Sequence, residues 1–278
     1  MNEAITPPGL DEHLRQWMQG DCVLGDHYFL FATNVELPLT PDACQVAAQG
    51  YSNVESQVDG FAVVSQTCDI VRNHMDRPFL EVCPLVKVDQ LKLAEIKRLR
   101  RPGYAYIPGL AHLGLVADLD RTMTFEKGVI MKWDRVPGCG SQNERVTLSR
   151  TLGRKRTRMA FPDDFTELCQ DLTSRLAKNG KKDSPEGRAI GALSEIRVTA
   201  TPGWSSDRIS VFFWFIRDSD PTQLDEHDWA THVSDWLDLV ETGGRFEEVD
   251  GIVTDLGQMT AADYVSSSLL DLDRLSHT

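Results

Sequence analysis

The sequence predicts an α+β protein in two parts: a strand-rich, barrel-like domain over residues 1–136 and an α+β domain over residues 137–278 led by a basic helix. Three observations lead there. Short apolar or alternating runs broken by Gly, Pro, Asn and Asp fill the first half, the pattern of a small, strongly bent sheet or barrel. In the second half, Phe161, Phe165, Leu168, Leu172 and Leu176 recur at helical spacing and form an apolar stripe. Between the halves, VPGCGSQN at residues 136–143 is dense in turn formers and marks the expected boundary.

Taken in order, residues 1–10 read as a loose arm and residues 11–19 as a short helix with Leu14, Trp17 and Met18 on one side. Residues 22–32 read as one or two strands. Residues 34–53, punctuated by Pro38, Pro41 and Gly50, read as loop. Residues 61–65, apolar up to Ser65, predict a central strand, since a strand buried on both faces loses its alternation. Residues 79–86 predict a second strand, in which Pro84 points to an edge or a bulge. Asp89 caps a helix expected to run to residue 101, with Leu91, Ile96 and Leu99 inward and Lys92, Lys97, Arg98, Arg100 and Arg101 outward. Residues 104–108 and 113–125 predict an antiparallel unit.

Beyond the boundary, Ser184-Pro185 starts a helix, with serine as N-cap and proline in the first turn. Residues 195–201 and 208–216 predict a hairpin. Residues 225–241 predict a helix carrying Trp229, Val233, Trp236 and Val240 inward, and residues 249–256 a short strand. Thr260 caps the last helix, with Asp263 completing a box-like start.

Composition limits the function classes. No run approaches the roughly 18 apolar residues of a membrane span, and the start has no basic leader followed by an apolar block. Six cysteines are scattered without a Cys-x-x-Cys pair, so free thiols in a reducing, cytoplasmic setting are expected and membrane partners are not. The net charge of −13 argues against indiscriminate nucleic-acid binding. The charge is uneven, however: net −5 over residues 1–139, +4 over residues 140–197 and −12 over residues 198–278.

The densest group of reactive side chains is Ser65-Gln66-Thr67-Cys68-Asp69, directly after the apolar strand. A thiol opening a turn or helix there gains from backbone N–H groups. Gln66 is placed to hold an oxyanion, His74 or His112 to act as base, and Asp118 or Asp120 to orient that base. Against this, a buried cysteine beside a turn-forming aspartate is ordinary structure. Asp69, Asp118 and Asp120 form a second candidate set. Asp-Leu-Asp on a strand would place Asp118 and Asp120 on one face, and converging carboxylates hold Mg²⁺ for phosphodiester cleavage. The bland alternative is a solvated face near Arg121. Cys68, Cys83, His74 and His112 match no usual zinc spacing. Arg150, Arg154, Lys155, Arg156 and Arg158, with Lys178, Lys181 and Lys182 further on, are candidates to grip phosphates or an acidic face of this chain or of a partner.

The first half resembles toxin barrels of the PemK/MazF type through Gly20-Asp21-Cys22-Val23, Phe61-Ala62-Val63-Val64-Ser65 and Val82-Cys83-Pro84-Leu85. No Arg-Pro precedes the apolar strand and no Ser or Thr follows Pro84, so the family's catalytic arginine and hydroxyl have no counterpart here. The Gln-Thr-Cys-Asp run is similar to that of uncharacterised bacterial proteins. The resemblance implies a barrel and an association with nucleic-acid or antiviral defence systems. The leading expectation is a nuclease or nucleic-acid sensor of a bacterial defence or toxin-type system. The alternatives are a cysteine-dependent hydrolase or transferase using Cys68, and a non-catalytic module that binds a protein partner.

Overall fold

The computed structural model describes residues 8–157, 159–180, 182–217 and 228–270, within two compact units, Met1–Arg156 and Thr157–Thr278. Both units mix helices with sheet, so the α+β class holds.

In the first unit, α1 (Leu10–Leu14) buries Leu10 and Leu14. Next come β1 (Cys22–Ala32), α2 (Pro41–Ala47) and β2 (Asn53–Val63). The helix α2 lies where the sequence reads as loop. Thr40 caps it by accepting from Ala43 N, and Pro41 occupies its first turn. The strands β1 and β2 form a long antiparallel hairpin with an irregularity between Leu24 and His27. Gly60 sits opposite at φ +140, where a Cβ would stand 2.0 Å from Val23 O, so a side chain has no room there.

The short α3 (Thr67–Ile70), β3 (Phe79–Lys87) and α4 (Gln90–Lys97) follow. Then come β4 (Tyr104–Tyr106), a 3₁₀ turn at Pro108–Leu113, β5 (Leu115–Asp118), β6 (Met123–Glu126), a 3₁₀ turn at Lys127–Lys132, and α5 (Gln142–Arg156). The sheet runs β1-β2-β3-β5-β4, with β6 also on β3. Thus β3 is its hub. One edge of β3 meets β2; the other meets β6 through Val82 opposite Met123, then β5 from Leu85 opposite Ala117. Pro84 falls in the changeover between those two partners, where a missing N–H costs no ladder bond. Proline is therefore compatible with a central strand here.

The sheet is open and the expected barrel does not close. β2 meets β3 over Phe61–Val63 alone, and beyond β2 the first strand has a single isolated bridge, Cys22 with Val136. The apolar strand at residues 61–64 is central as expected. Phe61 and Val63 enter one core cluster with Leu80, Val82, Trp17 and Trp133; Ala62 and Val64 enter another with Cys83, Leu85 and Ile107.

The division between units falls after Arg156, later than the turn-rich link at residues 136–143. The cause is Leu148, which α5 buries in the second of those clusters. The basic helix therefore belongs to the first unit rather than leading the second. Likewise α4 stops at Lys97 instead of residue 101, and Leu93, not Leu91, is buried with Ile96.

The second unit begins with α6 (Asp163–Leu168) and α7 (Gln170–Asn179), which carry the apolar stripe and bury Phe165, Leu172 and Leu176. It continues with α8 (Pro185–Ala192), β7 (Leu193–Thr201), β8 (Ile209–Arg217), α9 (Trp229–Leu237), β9 (Phe246–Asp255), α10 (Ala261–Ser266) and β10 (Ser268–Leu269). Ser184, Asp228 and Thr260 each cap a helix with their side chain. The sheet order is β10-β7-β8-β9, with β8 and β9 parallel. A parallel pair needs a crossover, which α9 supplies. Phe165, Phe213, Phe215 and Trp236 lie together in its core. Among the described residues no helix is long and apolar enough to cross a membrane.

Candidate functional site

Most of the polar knot after β2 is committed to holding the chain in place. Ser65 Oγ accepts from Glu81 N at 2.7 Å, and Thr67 Oγ1 accepts from Gln19 N at 3.1 Å. The ammonium of Lys127, wholly buried, donates to the carbonyls of Asp69 (2.7 Å) and Arg72 (2.9 Å). Burial lowers the Lys127 pKa, and the Asp11 and Asp69 carboxylates offset part of that. Nothing in the sequence around Lys127 marks it as an anchor. Its role comes from a contact made 55 and 58 residues away along the chain.

Cys68 is exposed, and its thiol donates to Gln66 Oε1 at 3.6 Å. Gln66 offers that thiol its carbonyl oxygen as an acceptor. His74 Nδ1 lies 2.8 Å from Asp11 Oδ1, and this bond holds the Asp11 carboxyl below its ordinary range. His112 is exposed on the turn before β5. Among the described residues no imidazole is hydrogen-bonded to the Cys68 thiol, so the nucleophile–base pair expected of a cysteine hydrolase is not assembled. Cys83, on β3, is buried and its thiol is pushed up to about 11 by that burial.

The three aspartates do not form one set. β5 ends at Asp118, so Asp120 lies in the following turn and does not share a strand face with it. Asp118 pairs with Arg121 at 2.8 Å, Asp120 with Lys155, and Asp69 with Arg72 at 3.7 Å. Among the described residues, no group of three or more His, Cys, Asp or Glu is arranged to hold a metal ion. The expected Mg²⁺ cluster is not built by these residues, because each carboxylate is drawn to its own cation.

The basic block is likewise turned toward its own unit. Lys155 meets Asp120, and Arg156 meets Glu81 at 2.7 Å. Arg154 is half-buried and Arg150 is exposed. Arg158 and Lys181 lie outside the described residues, while Lys178 and Lys182 belong to the second unit.

A different cationic surface stands out on α4. Residues 87–101 hold six Lys or Arg against two Asp or Glu. Asp89 caps the helix by accepting from Lys92 N at 2.8 Å. Leu99 takes a left-handed conformation at φ 59 and closes the far end, with Leu99 N donating to Ile96 O and Arg100 N to Glu95 O. Glycine usually holds that position. The cations gather at this C-terminus, where the helix dipole favours them. Lys92 lies 4.1 Å from the centre of the Tyr104 ring, and Lys97 5.7 Å from that of Tyr106. Both tyrosines share one face of β4, an edge strand, above Leu93, Ile96 and Val116. Arg101 is paired with Glu95 at 2.7 Å. Lys87, Lys97 and Arg98 are exposed. Burial lowers the Arg100 pKa, the neighbouring Arg98 charge adds to that, and Glu95 opposes it. The signal was available in the sequence as six cations running into Tyr104-Ala105-Tyr106.

No family model, curated protein or solved structure matches the chain. What it does is therefore read from its own residues.

Proposed function

We propose that the chain is a nucleic-acid-binding protein whose α4–β4 surface meets the phosphate backbone. One observation carries this: a run of cations over two edge-strand tyrosines, with Lys92 and Lys97 against the rings and Lys87, Lys97 and Arg98 exposed. A polyanion neutralises that run and releases counterions. The tyrosine rings add flat surface that stacks with unpaired bases once the lysines swing to phosphate. The proposal is binding, in the sense of a sensor or adaptor, and does not extend to cleavage. The carboxylates considered for cleavage are each engaged with a separate cation.

Titration of a labelled single-stranded oligonucleotide at several salt concentrations tests it. The expected result is a logarithmic salt slope of about −2 to −3 for a few phosphate contacts. An affinity that does not change with salt, or absence of binding at low salt, would overturn the proposal.

A further inference from the structure

The β1–β2 hairpin has a distal half that is poorly explained by packing. Beyond residue 60, toward the tip, β2 has no ladder with β3. Phe29 and Val58 face the core with Met123, and Leu30 N donates to Met123 Sδ at 3.2 Å. The opposite face carries Tyr28 and Leu30, and the connecting segment carries Leu37, Leu39 and Tyr51. These five are 52%, 51%, 70%, 94% and 65% exposed. Large apolar side chains left so open on one strand face and on its connecting segment are candidates for an interaction surface.

The charge that the arm itself carries has one sign; Arg121, from outside the arm, lies 5.7 Å from the centre of the Phe29 ring. No Lys or Arg occurs between Arg15 and Arg72, while Asp26, Glu36, Asp42, Glu55 and Asp59 lie on the arm. Asp42 accepts from Ser56 Oγ and Asp26 from Gln57 Nε2. Glu36 and Glu55 are exposed, and Glu55 stands opposite Leu30 in the hairpin register. A second copy of the same arm would bring acid against acid. The complement is a chain with both basic and apolar side chains.

We infer that the β1–β2 arm docks a protein segment that is cationic and amphipathic, seating its apolar side chains on Tyr28, Leu30 and the arm's leucines while its lysines or arginines meet Glu36 and Glu55. Apolar contact supplies the affinity, and the acidic rim supplies orientation and encounter rate. This surface shares no residue with the α4–β4 surface, so it stands or falls separately.

The test uses the full-length protein and a fluorescent peptide of alternating lysine and leucine, with a lysine–serine peptide as its partner probe. Two arm variants are compared, Tyr28→Ser with Leu30→Ser and Glu36→Lys with Glu55→Lys. A third, Glu167→Lys with Asp171→Lys, makes the same charge change at exposed sites of the other unit. The expected result is that both arm variants bind the lysine–leucine peptide about tenfold more weakly, as loss of interface anchors does, with circular dichroism unchanged. The unit-two variant stays within about twofold, and the lysine–serine peptide binds more weakly than the lysine–leucine one. An equal loss in the unit-two variant would assign the binding to diffuse negative charge and overturn the inference. So would equal binding of the two peptides. Self-association of the wild type that the arm variants abolish would give the surface to a second copy and overturn it too.

Discussion

Two cationic helices of the same unit are used in opposite ways. At the end of α5, Lys155 and Arg156 reach back to Asp120 and Glu81 and are spent on the unit itself. At the end of α4, Lys97 and Arg98 stay exposed, and Lys92 and Lys97 lie against tyrosine faces. By count along the chain α5 is the more obvious phosphate grip, with a longer helix and a basic final turn. What separates the two is the position of counter-charges, which comes from segments distant in sequence. A cation is available for binding only where the fold leaves it exposed, as at Lys97 and Arg98. Lys127 is the limiting case, a cation enclosed by its own unit.

Replacing Lys127 would sharpen that contrast most. Lys127→Ala strands the carbonyls of Asp69 and Arg72 and opens a cavity, and is expected to cost about 3 kcal/mol. Urea unfolding checks it, and a loss below roughly 1 kcal/mol would show that the loop holds without the ammonium. Next in size, Lys97→Glu with Arg98→Glu should weaken oligonucleotide binding about tenfold and flatten the salt slope by about 1.4. Its unfolding midpoint should barely move. Unaltered binding would break the comparison, since α4 would then be no more available than α5. The smallest effect belongs to Arg156→Ala. Exposed ion pairs contribute about 0–1 kcal/mol, so stability should change by no more than that. Oligonucleotide affinity should stay within about twofold; a tenfold fall would return the phosphate role to α5.

What the sequence revealed and concealed divides along the same line. The caps at Asp89, Ser184 and Thr260 are legible because each acts within three residues of itself. The central strand at Phe61 is legible because burial on both faces writes a continuous apolar run. The α6–α7 stripe is legible by its period. The helix α2 was hidden by its own start signal, since Thr40-Pro41 reads equally as a turn. Barrel closure depends on register between strands far apart in the chain, which no local pattern states. At the candidate site the thiol and aspartates could be found by type. Their failure to converge could not, because Asp118 and Asp120 part only where β5 ends, and each meets a different cation.

The lopsided charge of the hairpin arm has a practical side. Trypsin cuts after lysine and arginine, and between Arg15 and Arg72 it finds neither. Digestion to completion therefore leaves β1, α2 and β2 joined in a single peptide ending at Arg72. That fragment carries Cys22, Cys44 and Cys68, so thiol labelling before and after denaturation reads out one buried and two exposed sulfurs from one mass-spectrometric species.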